Sequence, residues 1–285
     1  MWPKRLKEIP QVPEQMFIRG NLPPEDCLWI SIVGSRKFSA YGEFMCQKII
    51  SELAGYPIVI VSGLAYGIDS IAHKCAINYG LTACVVPGSG LDDDSIYPRK
   101  HLNLAHEILE SGGCMLSEYE NGFKATNWSF PMRNRIMVGL SHAVILIEAA
   151  EKSGSMITAR MTSDYNRDLF VVPGRVSDSG SEGPLKLLKI GAIPITGGED
   201  IINEYCLKEL NKPNLSTESQ STDPKFLTER EHYVYKLVES AGESVPRNDL
   251  LIKSKFSQSE TNSILTMLEI YKLIKIKAEK IFISN

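Results

Sequence analysis

The chain has 285 residues, is 43% hydrophobic and 23% charged, and carries a formal net charge of −3. That composition is globular rather than disordered, and the length is enough for one large α/β domain plus a small module. A weakly acidic chain does not wrap duplex DNA through its overall field, so any contact with nucleic acid has to come from a local basic pocket.

Residues 1–26 are proline-rich and are expected to be an irregular N-terminal segment. Met1-Trp2-Pro3-Lys4-Arg5 is followed by no apolar run, so no secretion signal is expected. The stretch Cys27 to Val33 is a continuous apolar run ending at Gly34 and predicts a buried strand. Helical spacing follows from Tyr41 to Leu53. Ile58 to Val61 predicts a second buried strand, Ile68 to Tyr79 a helix, and Thr82 to Val86 a third strand closed by Pro87-Gly88. Ala143 to Ile147 and Leu169 to Val172 are further strands. Continuous apolar strands alternating with helices predict a mostly parallel sheet covered on both faces. The expected fold is therefore α/β, an extended Rossmann-like doubly wound domain over 27–206.

Residues 207–224, with the polar run Ser216 to Ser221, read as a linker, and 225–285 as a compact C-terminal domain. Thr228 and Glu231 are spaced as a capping box opening a helix that runs to about Ser240, and Ser257 with Glu260 as another. Arg247 to Ser254 predicts a helix between them. Leu273 to Lys277 and Lys280 to Ile283 predict a pair of short strands. Three helices and a hairpin of this size predict a small winged helix. Its third helix, about Gln258 to Ile270, holds no Lys or Arg, which argues against a duplex-reading transcription regulator; Lys272, Lys275, Lys277 and Lys280 fall on the wing instead.

The most informative motif is Phe130-Pro131-Met132-Arg133-Asn134-Arg135. An aromatic ring stacks a base and arginines grip phosphates, so this string predicts a binder of single-stranded nucleic acid or nucleotides. Two glycine-bearing turns lie upstream at Gly34-Ser35-Arg36 and at Ser62 to Asp69, with Gly63 and Gly67. Turns at the carboxyl ends of parallel strands place backbone N–H groups and Arg36 toward a ligand crevice. Ser153-Gly154-Ser155 opens a helix after a buried strand, where it holds an anion or serves as a helix cap with close helix–sheet packing. Asp69 reads as a first-turn cap and His73 as a structural histidine. No P-loop, H-E-x-x-H or G-x-S-x-G string occurs, no metal site is expected, and no cofactor is implied. The six cysteines form no C-x-x-C pair, and free thiols predict a reducing, cytoplasmic compartment. No run of about 18 apolar residues occurs, so no membrane span is expected.

In this order the motifs resemble the DprA/Smf family of DNA-processing proteins. The matching pieces are Val33 to Arg36, Ser62 to Asp69 with Ala72-His73, Gly88 to Asp92, Tyr97-Pro98 and Leu116 to Tyr119, then Phe130 to Ile136, Glu148 with Ser153-Gly154-Ser155, and Val172 to Gly174. The resemblance implies a non-enzymatic recombination mediator that protects incoming single-stranded DNA and loads the RecA recombinase during natural transformation, as a homodimer. Carried over by position, it places the single-stranded DNA site at Gly34, Ser35, Arg36, Gly63, Gly67, Phe130, Arg133, Asn134, Arg135, Ser153, Gly154 and Ser155. Tyr66 stands where the family commonly has a basic residue. The helical domain that precedes the Rossmann part in many members is expected to be missing ahead of Trp2. The alternative is a nucleotide-binding hydrolase of the lysine-decarboxylase-like (phosphoribohydrolase) type. Those proteins carry P-G-G-x-G-T-x-x-E, and the nearest strings here, Pro87-Gly88-Ser89-Gly90 and Pro173-Gly174-Arg175, lack the glutamate.

Overall fold

A computed structural model describes residues 3–208, 227–240, 244–271, 273–277 and 280–283. The chain divides into two compact units, Met1–Ser216 and Thr217–Asn285. The expected linker lies outside the described residues except for Leu207 and Lys208, as do Trp2 and Lys272.

The first unit is built on an eight-stranded sheet. Its strands are β1 (Phe17–Gly20), β2 (Leu28–Val33), β3 (Ile58–Ser62), β4 (Thr82–Val85), β5 (Cys114–Ser117), β6 (Ala143–Leu146), β7 (Asp168–Val171) and β8 (Ile193–Pro194). The order is β1-β5-β4-β3-β2-β6-β7-β8, with β1 antiparallel to β5 and every other pair parallel. The order reverses between β2 and β6, so the switch-point crevice of a doubly wound sheet opens between the loops that follow these two strands.

Alternation within each all-apolar strand divides the core in two. Leu28, Ile30 and Ile32 of β2, Ile58 and Ile60 of β3, and Ile145 of β6 join one cluster. Trp29 and Val33, Val59 and Val61, and Val144 and Leu146 join the other. The first cluster is covered by α1 (Ala40–Glu52), α2 (Ile68–Asn78), α3 (Leu102–Glu110) and, by way of Ile201 and Ile202, a short helix near the end of the unit. The second is covered by α4 (Ser129–Leu140), α5 (Gly154–Asp164) and α6 (Glu182–Lys189). The short helix on the first face is α7 (Gly198–Glu204).

The stretch expected to be irregular, 1–26, is only partly so. It contains a 3-10 helix, Lys4–Lys7, and the edge strand β1. Leu6 and Ile9 are buried on α4, where Gly139 leaves room for them; a Cβ at Gly139 would stand 2.9 Å from Ile9 Cγ2. The edge strand has four residues that alternate between half-buried and exposed, too short and too polar a pattern to stand out among prolines.

The second unit contains α8 (Glu229–Glu239), β9 (Val245–Pro246), α9 (Arg247–Lys253), α10 (Gln258–Ile270), β10 (Ile274–Lys277) and β11 (Lys280–Ile283). Both expected capping boxes form, Thr228 with Glu231 and Ser257 with Glu260. The helices close on Val234, Val238, Leu250, Leu265 and Leu268, with Ile274 and Ile281 beneath the three-stranded sheet β10-β11-β9. This is the winged-helix arrangement expected from the sequence. Among the described residues no helix is long and apolar enough to cross a membrane.

Candidate nucleic-acid interface

The loops after β2, β3 and β4 meet the start of α4 at the carboxyl edge of the sheet. A small pocket there is lined by Arg36, Gly63, Ala65, Tyr66, Tyr97, Pro98 and Phe130. The Arg36 guanidinium stands 5.6 Å from the centroid of the Phe130 ring, and the centroid of the tilted Tyr97 ring lies 5.8 Å from it. Arg36, Tyr66 and Tyr97 are exposed, and Phe130 is half-buried. A cation above an aromatic face, with further rings around it, suits a base beside its phosphate.

Glycines make this convergence possible. A Cβ at Gly34 would stand 2.6 Å from Ile68 Cγ1, and one at Gly67 would overlap the Ser35 carbonyl. Gly67 has φ of 80°, and Ile68 N–H donates to Ser35 O at 3.2 Å, so the β2 and β3 loops are laced together. Leu64 also has positive φ, 62°, a strained conformation held by its complete burial. His101 Nδ1 donates to the Leu64 carbonyl at 2.7 Å, and its ring packs edge-on against Tyr66 at 5.0 Å. Ser35 Oγ is turned back on its own loop, donating to Lys37 O at 2.7 Å.

The two motif arginines do not join Arg36. Helix α4 separates residues two apart by about 200° around its axis, so Arg133 and Arg135 leave it on opposite sides. Arg133 is 5% exposed; its Nη1 donates to Gly63 O at 2.6 Å and also to Val86 O, and its Nε donates to Asn134 Oδ1 at 3.1 Å. A Cβ at Gly63 would fall on this guanidinium. Arg135 is 6% exposed; it is ion-paired to Glu118 and donates to Gln11 O at 2.6 Å. Both guanidinium groups thus make hydrogen bonds within the fold, while Arg135 Nε is buried without a hydrogen-bond partner. Pro131 sits within the first turn of α4, where no N–H is needed.

Asp69 completes the buried layer under the cleft. Its Oδ2 accepts from Gly63 N–H at 3.1 Å and from Ala65 N–H at 3.4 Å, so the Gly63 amide expected to face a ligand is already engaged. Burial raises the Asp69 pKa, and the Arg133 charge and these two N–H groups oppose the shift. Burial likewise lowers that of Arg133. His73, one turn further along α2, is fully buried and its pKa falls to about 3, chiefly by desolvation.

The switch-point crevice is a separate place, and the protein fills it. Glu148, which follows β6, accepts from Ser39 N–H at 2.9 Å and from Ser39 Oγ. Ser39 caps α1, and a Cβ at Gly42 would stand 2.5 Å from the Glu148 carboxylate. A carboxylate thus occupies the helix N-terminus where a nucleotide phosphate sits in many sheets of this topology. Ser155 Oγ donates to Gly34 O at 2.7 Å, bracing the β2 turn. Ser153 is the N-cap position of α5 but makes no side-chain cap, and Gly154 next to it is exposed. The structure therefore groups Gly34, Ser35, Arg36, Gly63, Gly67 and Phe130 at one cleft, with Arg133 and Asn134 behind it. Arg135 stands elsewhere, whereas Ser155 is tied to the cleft's β2 turn through the Gly34 carbonyl. Tyr97 was read from sequence only as part of a motif string, because nothing local distinguishes a ring that faces a cleft from one on a surface turn.

The profile of the family described as DNA recombination-mediator protein A matches residues 1–206. Protein Smf of Escherichia coli is 40% identical over 201 residues, 70% of this chain and 53% of that protein, so this chain matches about half of its length. DNA processing protein DprA of Bacillus subtilis is 40% identical over 205 residues, 71% of this chain and 68% of that protein. Among solved structures, DprA of Streptococcus pneumoniae superposes with a TM-score of 0.67 at 37% identity, covering 71% of this chain and 70% of that one. DNA processing protein A of Helicobacter pylori, whose structure is described for its mode of binding single-stranded DNA, gives a TM-score of 0.64 at 33% identity over 72% of this chain and 93% of that one.

Proposed function

Because this chain belongs to the DNA recombination-mediator protein A family, we propose that it grips single-stranded DNA, without catalysis, at the cleft of Arg36, Tyr66, Tyr97 and Phe130. The carrying observation is the exposed Arg36 guanidinium poised 5.6 Å over the Phe130 ring, at the mouth of a pocket walled by two more exposed rings. Arg36 holds a phosphate; Phe130 stacks the neighbouring base; Tyr66 adds a further ring at the pocket wall. Arg133, Asp69 and Gly63 position the cleft rather than touch the strand. Such a grip is tolerant of base sequence and weakens with salt. The description of the Helicobacter pylori relative supports the ligand class.

In this reading the protein works in the cytoplasm as a homodimer that shields incoming DNA during natural transformation and hands it to a RecA recombinase. The test is binding of fluorescent oligo-dT against a duplex of equal length over a salt series, for wild type and Arg36→Ala. The expected result is preference for the single strand, with affinity lower in the variant for every sequence and the salt slope shallower by about 1. Equal binding of single strand and duplex, or an unchanged Arg36→Ala, would sink the assignment. RecA delivery is checked separately, by the rate of RecA assembly on single-stranded DNA with and without the protein.

A further inference from the structure

Two residues before Phe130, Trp128 presents its indole to solvent at 57% exposure, the most exposed aromatic side chain among the described residues. It is not loose. Its ring meets Tyr119 edge-on at 5.9 Å and Phe123 edge-on at 5.7 Å, and these two rings are themselves stacked at 4.2 Å and 12°. The loop beneath is pinned as well: Ser129 Oγ donates to Gly88 O at 2.6 Å, Thr126 N–H donates to Ser129 Oγ at 3.0 Å, and Phe123 O accepts from Gly90 N–H at 2.9 Å. Met132, one turn into α4, adds a further 37%-exposed apolar side chain. An aromatic surface of this size left in water costs solubility, and one held against two other rings is pre-organised for a flat partner.

We propose that Trp128 is a second base-stacking platform, which carries the single strand beyond Phe130 toward the β5 side of the sheet. This rests on the proposed cleft and deepens it. The Cα atoms of residues 128 and 130 lie within about 7 Å of each other even with the chain fully extended, so the indole stands close in the chain to the proposed stacking ring. Three of the exposed aromatic side chains of the first unit support the same path, the others, Phe38, Tyr41 and Phe44, lying at or on α1. Tyr66, Tyr97 and Trp128 all stand on loops at the carboxyl edge, after β3, β4 and β5 respectively. Charge assigns Trp128 a stacking role alone. Glu120 on the same loop is acidic, and the Lys124 ammonium is held by the Asp94 carbonyl, so phosphate contacts are assigned to the Arg36 side.

The prediction separates stacking from charge. Anisotropy of labelled oligo-dT and intrinsic tryptophan fluorescence are followed together in the full chain, for wild type, Trp128→Phe and Trp128→Leu, with thermal unfolding confirming that each variant folds. Wild type should lose tryptophan emission as oligo-dT saturates it, and Trp128→Phe should bind nearly as well with that quench gone. Trp29 is fully buried and does not report on a surface ligand. Trp128→Leu keeps an apolar contact on Phe123 and should bind about fivefold to a hundredfold more weakly with an unchanged salt slope. Binding by anisotropy with no quench attributable to Trp128 and no loss in Trp128→Leu overturns the platform while leaving the cleft in place. Absence of any anisotropy change in wild type overturns both. A Trp128→Leu protein that binds oligo-dT normally but changes its sedimentation assigns the patch to protein contact and overturns the proposal.

Discussion

The guanidinium of Arg133 occupies the space that a side chain at Gly63 would fill, donating to the Gly63 carbonyl at 2.6 Å. One residue is glycine because the other is arginine. The β3 loop and the start of α4 are joined at this point, and the wall of the cleft depends on it.

Gly63→Ala should therefore displace Arg133. The expected cost is about 1–3 kcal/mol in chemical denaturation, with weaker oligo-dT binding because Phe130 and the β3 loop separate. A variant as stable as wild type would show that the loop yields without disturbing the arginine.

Arg133→Met should be far more damaging to the fold than Arg36→Ala. It leaves Asp69 buried without its chief opposing charge and leaves the Gly63 and Val86 carbonyls without their guanidinium donor, at a cost of about 1–3 kcal/mol for each buried group left unsatisfied. Adding Asp69→Asn should restore part of the loss. Arg36 is exposed, so Arg36→Ala should melt like wild type while binding weakly. The two arginines thus separate in a stability-against-affinity plot, and loss of affinity at full stability in Arg133→Met would return that residue to direct contact.

His73 sets an acid limit. It is depressed to about 3 in the fold by burial, against about 6.5 when unfolded, so between these values the unfolded chain holds a proton that the folded chain does not. Stability should fall as pH drops through this window, by about 1.4 kcal/mol for each pH unit from this group. His142, lowered to about 4 chiefly by burial while its Nδ1 accepts from Trp29 N–H, adds to the same trend. His73→Phe should flatten the pH profile of unfolding between 4 and 6; an unchanged slope would show that this histidine does not control it.

Glu148→Ala removes the acceptor of both Ser39 N–H and Ser39 Oγ. We expect a loss of about 1–3 kcal/mol, since donors at the α1 N-terminus are left with water alone. Phosphate or sulfate should restore part of it by entering the vacated place, which thermal shifts over an anion series would reveal.

Five of the eight strands are legible because they are unbroken apolar runs, and both capping boxes because their residue pairs act within three positions; β5 (Cys114–Ser117) and β8 (Ile193–Pro194) are too short to stand out. Long-range placement is not legible. The motif from Phe130 to Arg135 stands out in the sequence, but sequence cannot tell an arginine that meets a ligand from one that meets carbonyl oxygens 47 or 70 residues away. The spacing itself carried a warning, since positions 133 and 135 point apart once residues 129–140 form a helix. Edge strand β1 and α3 escaped notice because the one is too short and the other follows a polar turn without a cap. Trp128 escaped for a different reason: its significance lies in Tyr119 and Phe123 behind it, which only the folded loop assembles.

Glu148 also bears on how ligands compete. A free nucleotide entering the crevice that topology alone would recommend must first evict a carboxylate from the helix it needs. The aromatic cleft, offset from that crevice on the β3 side, demands no such exchange. Mononucleotides and inorganic phosphate should thus be poor inhibitors of strand binding, whereas short oligomers that reach a ring and Arg36 together should be effective ones.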